Sequence, residues 1–391
     1  MTLKILPMAV SLFLVMCSQA NATPPDTVDN DHIYLQAGGG VHFLDLPESS
    51  PFVRTNGKEE IVGFLEHYDA EFKSGPRIEM IAGYNYQAAG KNLYTELSGF
   101  STSYRSSHTH VYRGDVAAWA DVRAQFETQY CQQGTEFGAC ITPETEQHLV
   151  ALINNDPHIR SVGWIGKIDG GSISFGAPNF AWGDPIRIKT KRKVDFYGLG
   201  LVTGVLFPQT GQSRTSFYIG PSFKRLDQES DIFAYESNRE PQVNNVTLKE
   251  DLEASYYGAT LGSRIEGPLR QRWHLMLDGK LGLYYLDSEY RGLQRTLLSS
   301  SGPVLDERTD WDDDSSEVAA TLGVETSLSI ALSENMNFRV AAGADYLSHA
   351  PVIRYARHGE GLASGQTHSA AHIAYSDAFG YFTTISIGIK L

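Results

Sequence analysis

The sequence predicts an all-β protein, a transmembrane antiparallel β-barrel of about ten strands (about 8–12) with long extracellular loops that include a short helical hairpin. Three observations predict this fold. Residues 379–391 alternate apolar and polar side chains up to the final carboxylate, similar segments recur along the chain, and a secretory leader precedes them all. In an exported chain, this period of two is typical of strands with one face on lipid and the other on a lumen.

Residues 1–22 have the features of a signal peptide: an early positive charge, an apolar run too short to span a bilayer, and a small-x-small site that ends at Ala22. Cleavage near Ala22 leaves residues 23–391 as a single outer-membrane barrel domain. A lipoprotein leader at Cys17 is the alternative, and the bulky Met16 before it argues against lipidation. The predicted location is the bacterial outer membrane.

The charge balance narrows the choice of partners. The full chain carries 32 Lys and Arg against 46 Asp and Glu, a formal net charge of −14 at pH 7. This acidity argues against a nucleic-acid partner, which requires a basic surface, and favours the attraction of cations. Beyond the leader no run of 18 apolar residues is present, so the sequence predicts no transmembrane helix.

About ten segments alternate well enough to be strands. They are residues 33–43, 77–86, 92–104, 194–207, 215–228, 253–266, 273–288, 316–331, 337–348 and 379–391. Each is long enough for a tilted span of about 9–11 residues. Aromatic residues such as Trp273, Tyr285 and Tyr346 flank the apolar runs, as they do at membrane interfaces. The alternatives are a soluble β-sandwich and a solenoid, which would need a fixed repeat.

The connections between these segments alternate between short and long. With both termini on the periplasmic side, the short turns fall there and the long loops fall outside the cell, as in outer-membrane barrels. The short turns are 87–91, 208–214, 267–272 and 332–336, and the long loops are 46–75, 105–193, 229–251, 289–315 and 349–378.

The longest predicted external loop, 105–193, contains two helix starts, one capped by Asp115 and one at Thr142, which precedes a proline. Cys131 and Cys140 lie between the two predicted helices. An exported protein with two remaining cysteines is expected to join them in a disulfide. Half of a zinc site is the alternative, and it lacks a second ligand pair nearby. The hairpin is then a lid, a plug in the lumen or a surface subdomain.

The polar faces of the predicted strands carry charges of both signs. We expect them to face the lumen, where they either line a charge-selective channel or neutralise each other as a buried network. A barrel of about eight strands is filled by its side chains and wide aqueous pores need about sixteen, so about ten strands predict a narrow passage. The expected lumen-facing residues are Arg77, Glu79, Arg264, Glu266, Asp278, Lys280, Glu325, Arg339 and Asp345.

Two histidine pairs have metal-ligand spacing: His108 with His110, and His368 with His372. Neither pair has an obvious third ligand beside it, and solvated loop histidines are the simpler interpretation. The acidic run at 306–317 offers hard oxygen ligands for Ca²⁺ but lacks the spacing of an EF-hand, so a solvated acidic rim is the simpler explanation. The sequence therefore predicts no metal site and no cofactor.

Small barrels can also be enzymes whose catalytic residues gather at the rim. The candidate pairs are Asp345 with His349 and His42 with Asp45, each near the outer end of a predicted strand. No G-x-S-x-G nucleophile motif is present. We therefore predict no catalytic residues.

Four segments resemble the Legionella-type family of pore-forming outer-membrane β-barrel proteins: 218–227 (YIGPSFKRLD), 257–262 (YGATLG), 280–285 (KLGLYY) and 338–347 (FRVAAGADYL). They follow an order similar to that of the family's strands and cover less than half of the chain. The resemblance implies pore formation or passive permeation and transfers no individual functional residue. Leu391 departs from the usual outer-membrane pattern, which favours a terminal Phe.

These features predict a narrow porin-like channel for the passive passage of small solutes or ions, surrounded by outer-membrane lipid. The first alternative is a surface-binding or adhesion barrel with a sealed lumen, whose loops carry the activity. The second is a barrel hydrolase, either a protease or a lipid hydrolase. The sequence leaves the oligomeric state open.

Overall fold

The structure is a computed structural model. It describes residues 32–46, 52–55, 61–64, 73–112, 116–118, 168–169, 172–173, 186–207, 213–236, 244–270, 272–298, 305–355 and 371–391. Within these ranges no helix is long and apolar enough to cross a membrane. The leader, Cys131, Cys140 and the helix start at Thr142 lie outside the described residues, so what the sequence predicts for them stays a prediction.

Ten long antiparallel strands close into a barrel. In chain order the strands are β1 (His32–Asp45), β2 (Phe52–Thr55), β3 (Ile61–Phe64), β4 (Lys73–Ala88), β5 (Lys91–Tyr112), β6 (Val116–Ala118), β7 (Ile168–Asp169), β8 (Ser172–Ile173), β9 (Ile186–Leu206), β10 (Arg214–Glu236), β11 (Asn244–Arg270), β12 (Trp273–Leu298), β13 (Leu305–Ala331), β14 (Met336–Tyr355) and β15 (Ala371–Lys390). The order around the barrel is β1-β15-β14-β13-β12-β11-β10-β9-β5-β4, which confirms the predicted fold class. Strands β2, β3 and β6 form a small sheet, and β7 pairs with β8.

Both ends of the barrel chain lie at the same rim. In the closing seam, Tyr34 of β1 pairs with Lys390 of β15. At this rim β4 and β5 are joined by a two-residue turn in which Ala89 and Gly90 have φ angles of 51° and 73°. Positive φ at both central residues is the type I′ geometry, which matches the twist of the flanking strands. The rim with the termini and the short turns is the periplasmic end of an outer-membrane barrel.

A belt of exposed apolar side chains surrounds the barrel. On β12 the belt contains Leu281, Leu283 and Tyr285, whose exposed fractions are 57%, 64% and 55%. An apolar surface of this extent is stable only against hydrocarbon, because soluble proteins rarely expose contiguous apolar patches larger than a few hundred Å². The barrel therefore spans the outer membrane. Other strands continue the belt with Ile33, Leu35, Ile78, Met80, Leu199, Leu201, Ile219, Leu261, Val318, Val324, Ile385 and Ile387.

Aromatic side chains mark the outer edge of the belt. The rings of Phe223 and Tyr257 lie 5.1 Å apart on neighbouring strands, and Tyr257 is paired with Tyr285 across the next strand boundary. On the other side of the barrel, the rings of Tyr346 and Phe379 lie 5.2 Å apart. Amphipathic rings of this kind concentrate where hydrocarbon meets the headgroups.

Beyond the aromatic edge the alternation of β10–β13 reverses. Leu252, Leu286 and Tyr290 point inward and are at most 1% exposed, whereas Glu253 and Glu289 point outward and are exposed. Water rather than lipid meets the outer surface here, so polar side chains outside and apolar side chains inside are favoured. We call this part the outer wall, and it comprises residues 225–236, 244–255, 286–298 and 305–316.

The prediction of long external loops is wrong for much of their length, because the strands continue past the membrane. The predicted strands required apolar residues on the outward face, and the outer wall has the opposite sign of alternation. The residues predicted as external loop that instead extend the barrel strands are 73–75, 105–112, 186–193, 229–236, 244–251, 289–298, 305–315, 349–355 and 371–378. The short strands β2, β3, β6, β7 and β8 also lie in predicted loops.

The helix predicted to begin after Asp115 is also wrong at its start. Val116–Ala118 forms β6, which pairs with β2 through Val116 opposite Arg54. Sheet pairing satisfies the backbone amides that an Asp cap would otherwise have served. The rest of that predicted helix lies outside the described residues.

Candidate functional site

A cavity of about 590 Å³ occupies the barrel lumen. Its lining begins at the periplasmic rim with residues such as Glu266, Asn335 and Lys390, and it reaches inward as far as Lys224 and Tyr284. Polar and charged side chains make up much of the wall. A lumen of this kind is unlike the fully packed interior of the smallest barrels, so it is the candidate functional site.

All nine charged residues that the sequence places in the lumen line this cavity. Glu96 and Lys224 line the same cavity and were not among the lumen residues predicted from the sequence. Above the rim, the described lining holds a balanced set of charges: Arg77, Lys224, Arg264, Lys280 and Arg339 against Glu79, Glu96, Asp278, Glu325 and Asp345.

Arg264 joins two carboxylates at the centre of the lower lumen. Its Nη1 and Nη2 donate to the two carboxylate oxygens of Glu96 at 3.1 and 3.2 Å, and its Nε donates to Asp278 Oδ2 at 2.9 Å. The Tyr34 hydroxyl donates to Glu96 at 2.8 Å, and the Tyr218 hydroxyl donates to Asp278 at 2.6 Å. Bidentate, charge-assisted hydrogen bonds of this type are among the strongest in proteins. Arg264, Glu96 and Asp278 therefore form a rigid connection across the lumen between β11, β5 and β12.

A second group of charges lies on β12, β13 and β14. Arg339 forms an ion pair with Glu325 and donates through Nη1 to Gln36 Oε1 at 3.2 Å. Lys280 Nζ lies 3.6 Å from Asp345 Oδ1. Most lumen charges are therefore compensated in pairs, as one of the two sequence-based alternatives expected.

Arg77 is held differently from the other lumen cations. Its guanidinium lies between the rings of Phe100 and Phe382, 4.5 and 4.2 Å from their centres. Its Nε is 3.6 Å from Glu79 Oε2, and the other carboxylate oxygen, Oε1, accepts a hydrogen bond from the Thr384 hydroxyl at 2.9 Å. The Arg77 side chain is only 6% exposed, and among the described residues its Nε and Nη1 have no hydrogen-bond partner.

Lys224 has even less compensation. No carboxylate of the described residues forms an ion pair with it, and its Nζ lies 5.3 Å from the centre of the Tyr284 ring. The Tyr284 hydroxyl is bonded to Ser222 at 2.8 Å and to Thr260 at 3.0 Å. Lys224 interacts electrostatically with Asp345, which already pairs with Lys280.

The two candidate catalytic pairs do not meet. His42 is fully buried and its Nδ1 lies 2.6 Å from the Tyr104 hydroxyl, whereas Asp45 lies on the opposite face of β1. Asp345 pairs with Lys280 inside the lumen, and His349 lies at an exposed bulge with its Nδ1 3.0 Å from Ser348 Oγ. Within the described ranges, no group of three or more His, Cys, Asp or Glu could hold a metal ion.

Glycines make room for aromatic rings on the lumen wall. A Cβ on Gly262 would lie 2.2 Å from the ring of Tyr218, its cross-strand partner. The flat ring lies over the glycine backbone, which directs the phenol toward Asp278. The same pairing recurs with Tyr34 over Gly83, Tyr94 over Gly204, Phe100 over Gly198 and Phe382 over Gly343.

An apolar layer closes the lumen at its outer end. Nine of the ten barrel strands contribute to this single cluster of buried side chains, in which Tyr256 and Leu286 are fully buried. Some members, such as Leu44, Phe196 and Leu347, also line the cavity, so the layer forms its end wall. We call this cluster the apolar layer: Leu44, Leu46, Tyr104, Val194, Phe196, Leu226, Ala254, Tyr256, Tyr284, Leu286, Ala319, Leu347, Ala350 and Ala378.

Comparison with known proteins finds likeness to solved outer-membrane barrels. The outer membrane protease OmpT from Escherichia coli aligns over 94% of this chain and 99% of its own, with 9% identity and a TM-score of 0.39. The CymD monoaromatic hydrocarbon channel aligns over 93% and 89%, with 10% identity and a TM-score of 0.31. The toluene transporter TbuX of Ralstonia pickettii aligns over 93% and 90%, with 9% identity and a TM-score of 0.29.

Likeness at this level transfers no activity, because one is a protease and the others are transport proteins. No protein-family model matches the chain, and no curated protein matches it.

Proposed function

We propose that this protein is a narrow outer-membrane channel for the passive passage of small solutes or cations, closed at its outer end in the described conformation. The observation that carries the proposal is the polar cavity of about 590 Å³ inside a membrane-spanning barrel. Charged and hydroxyl groups along this cavity can replace water around a permeating solute. The excess of acidic residues over basic ones in the chain draws cations toward the barrel.

The apolar layer acts as the gate of this channel. A hydrophobic constriction excludes water and ions until it widens, so a small displacement of its side chains switches conduction. Brief openings of low conductance are therefore expected from the unaltered protein.

Conductance in a planar bilayer tests the proposal. The chain without its leader, refolded into the bilayer, is expected to give discrete steps with a cation preference that weakens as salt rises. Leu286→Ser, which makes the layer more polar, is expected to increase the open time or the step size. Leu283→Ser is the matched control, because Leu283 lies on the lipid side of the same strand and is 64% exposed. A silent bilayer with both the original chain and Leu286→Ser would contradict the channel.

A surface-binding barrel is the second candidate, and the outer wall favours it. Strands β10–β13 are 23–27 residues long, far beyond the span of the membrane, and their outward faces carry Asp227, Asp251, Glu253 and Glu289. Three of these carboxylates pair with basic side chains of the outer wall, Asp227 and Glu253 with Arg225 and Glu289 with Arg291, so the surface offers charges of both signs to a polar partner. Binding that is lost when these carboxylates become amides, together with absent conductance, would support this candidate over the channel.

A further inference from the structure

We infer that the closed end of the lumen binds a small organic carboxylate: its anionic group is held by Arg77, Lys224 and Lys280, and its apolar part meets the apolar layer. This inference does not require the barrel to conduct. It rests on the distribution of charge along the lumen, on unsatisfied polar atoms at one end, and on the apolar surface beside them.

The charges of the lumen separate into two tiers of opposite net sign. Counted from the periplasmic end of each strand, the lower tier lies three to six residues in. Apart from Glu266, which pairs with Arg214 at the rim, it holds two cations and three carboxylates, Arg264 and Arg339 against Glu96, Asp278 and Glu325. The upper tier lies seven to eleven residues in and holds three cations and two carboxylates, Arg77, Lys224 and Lys280 against Glu79 and Asp345. The upper tier thus has a net charge of +1, which one monoanion neutralises.

The upper tier also contains donors that the described residues leave unsatisfied. Among the described residues, Arg77 Nε and Nη1 are buried without a hydrogen-bond acceptor. Lys224 Nζ lies 5.3 Å from the centre of the Tyr284 ring, and the carboxylate that acts on it, Asp345, is already paired with Lys280. A buried charged donor that lacks a hydrogen-bond acceptor costs more free energy than a buried neutral donor that lacks one. An acceptor at this position is therefore strongly favoured. A carboxylate accepts from several donors at once and matches a guanidinium.

The surroundings of these donors select the rest of the ligand. Phe100, Phe196, Leu347 and Ala378 line the same end of the cavity and belong to, or pack against, the apolar layer. A ligand whose anionic group meets the cations therefore brings its other end against apolar side chains. Inorganic phosphate has no apolar part and carries excess charge for a site of net +1, so a carboxylate on a small apolar group is the better match.

Isothermal titration of the refolded full-length mature chain in detergent, with sodium benzoate as the probe and low chloride, tests the site. Benzoate is expected to bind, and benzyl alcohol and inorganic phosphate are expected to bind at least about tenfold more weakly, because each lacks one half of the match. Binding of benzyl alcohol as tight as that of benzoate would overturn the role of the cations. Equal binding of phosphate would overturn the assigned ligand class, and no binding of benzoate would overturn the site.

Variants connect the binding to the named residues. Lys224→Met is expected to weaken benzoate binding about tenfold or more, and Lys224→Arg, which keeps the charge, is expected to retain it. Lys193→Met is the control, because Lys193 pairs with Asp195 and Glu229 away from this cavity. Heat-modifiable migration on gels confirms that each variant is folded. Equal benzoate affinity in folded Lys224→Met and Lys193→Met would refute the inference.

The outcome is separable from that of the channel proposal. Benzoate binding without conductance would support the carboxylate site and contradict the channel proposal. Conductance without benzoate binding would support the channel and contradict the carboxylate site.

Discussion

Replacing Arg264 by methionine is the sharpest test of the lumen network. The change keeps the length and most of the apolar stem of the side chain but removes the guanidinium that joins Glu96 and Asp278. Three charge-assisted hydrogen bonds disappear, and two carboxylates remain close together in the lumen with only tyrosine hydroxyls as described donors.

The expected cost follows from the burial of these groups. The side chains of Arg264, Glu96 and Asp278 are 22%, 7% and 10% exposed. Removing one partner of a buried ion pair costs about 3–5 kcal/mol, because the remaining charge is left uncompensated. The adjoining cavity admits water, which reduces the penalty, so we expect the free energy of unfolding to fall by about 3 kcal/mol.

Arg214→Met provides a matched control in the same barrel. Arg214 Nη1 lies 3.5 Å from Glu266 Oε1 at the periplasmic rim, and the two side chains are 37% and 44% exposed. An exposed ion pair contributes about 0–1 kcal/mol. Reversible urea unfolding of both variants in lipid vesicles, followed by tryptophan fluorescence, measures the two costs under the same conditions.

Equal losses of stability in Arg264→Met and Arg214→Met would show that ion pairs buried in the lumen contribute no more to the free energy of unfolding than an exposed pair does. Arg264→Lys adds a second check. It keeps the charge but cannot bond both carboxylates in the bidentate arrangement, so its stability is expected to fall between those of the original chain and Arg264→Met.

Three further substitutions test the glycines that lie under aromatic rings, the lipid belt and the outer wall. Gly262→Ala brings a Cβ within 2.2 Å of the Tyr218 ring and is expected to lower the free energy of unfolding by about 1–3 kcal/mol. Gly279→Ala, with open space around it, should change that free energy by less than about 1 kcal/mol, and equal costs in urea titrations would contradict the role of Gly262. Leu281→Arg is expected to cost about 2–4 kcal/mol and Asp287→Arg about 0–1, and similar losses would remove the proposed membrane boundary. Although Asp251 is exposed, partial desolvation by its neighbours, and then the carboxylates of Glu229 and Asp227, raise its pKa. Its ionised form therefore opposes folding above that pKa, and the penalty vanishes below its unfolded pKa. Asp251→Asn should therefore raise the unfolding midpoint at pH 8 but not at pH 3, and a shift confined to pH 3 would contradict this assignment.

The membrane-spanning half of the fold could be predicted from alternation alone. Residues such as Leu281 and Leu283 fall on one face of a strand and Asp278 and Lys280 on the other, so parity assigns the lipid side and the lumen side together. The same parity would have placed Lys224 in the lumen beside these residues. Lys224 was not predicted as a lumen residue because the adjacent Arg225 puts a charge on the opposite face, so charge alone does not distinguish the two faces there.

The outer wall could not be predicted in this way, because alternation does not show whether the apolar or the polar face of a strand points outward. The pattern of Leu248, Glu250 and Leu252 against Lys249 and Asp251 has the same period as the membrane strands. Which face meets water depends on where the membrane ends, and that is set by neighbouring strands rather than by the segment itself. Glu96 was missed for a related reason, since its strand has few apolar residues to define a face.

The exchange of apolar for polar residues on the outward face of the strands determines the position of the barrel along the membrane normal. On β12, the change from Tyr285 to Asp287 takes two residues, or about 7 Å along the strand. If the barrel moved by that distance toward the periplasm, carboxylates of the outer wall would enter the acyl chains. If it moved by the same distance outward, the aromatic edge of the belt would leave the membrane interface for water. The vertical position is therefore fixed, and a host bilayer must adjust its own thickness to suit. Refolding yield should peak at one acyl-chain length, which is the lipid to choose for reconstitution.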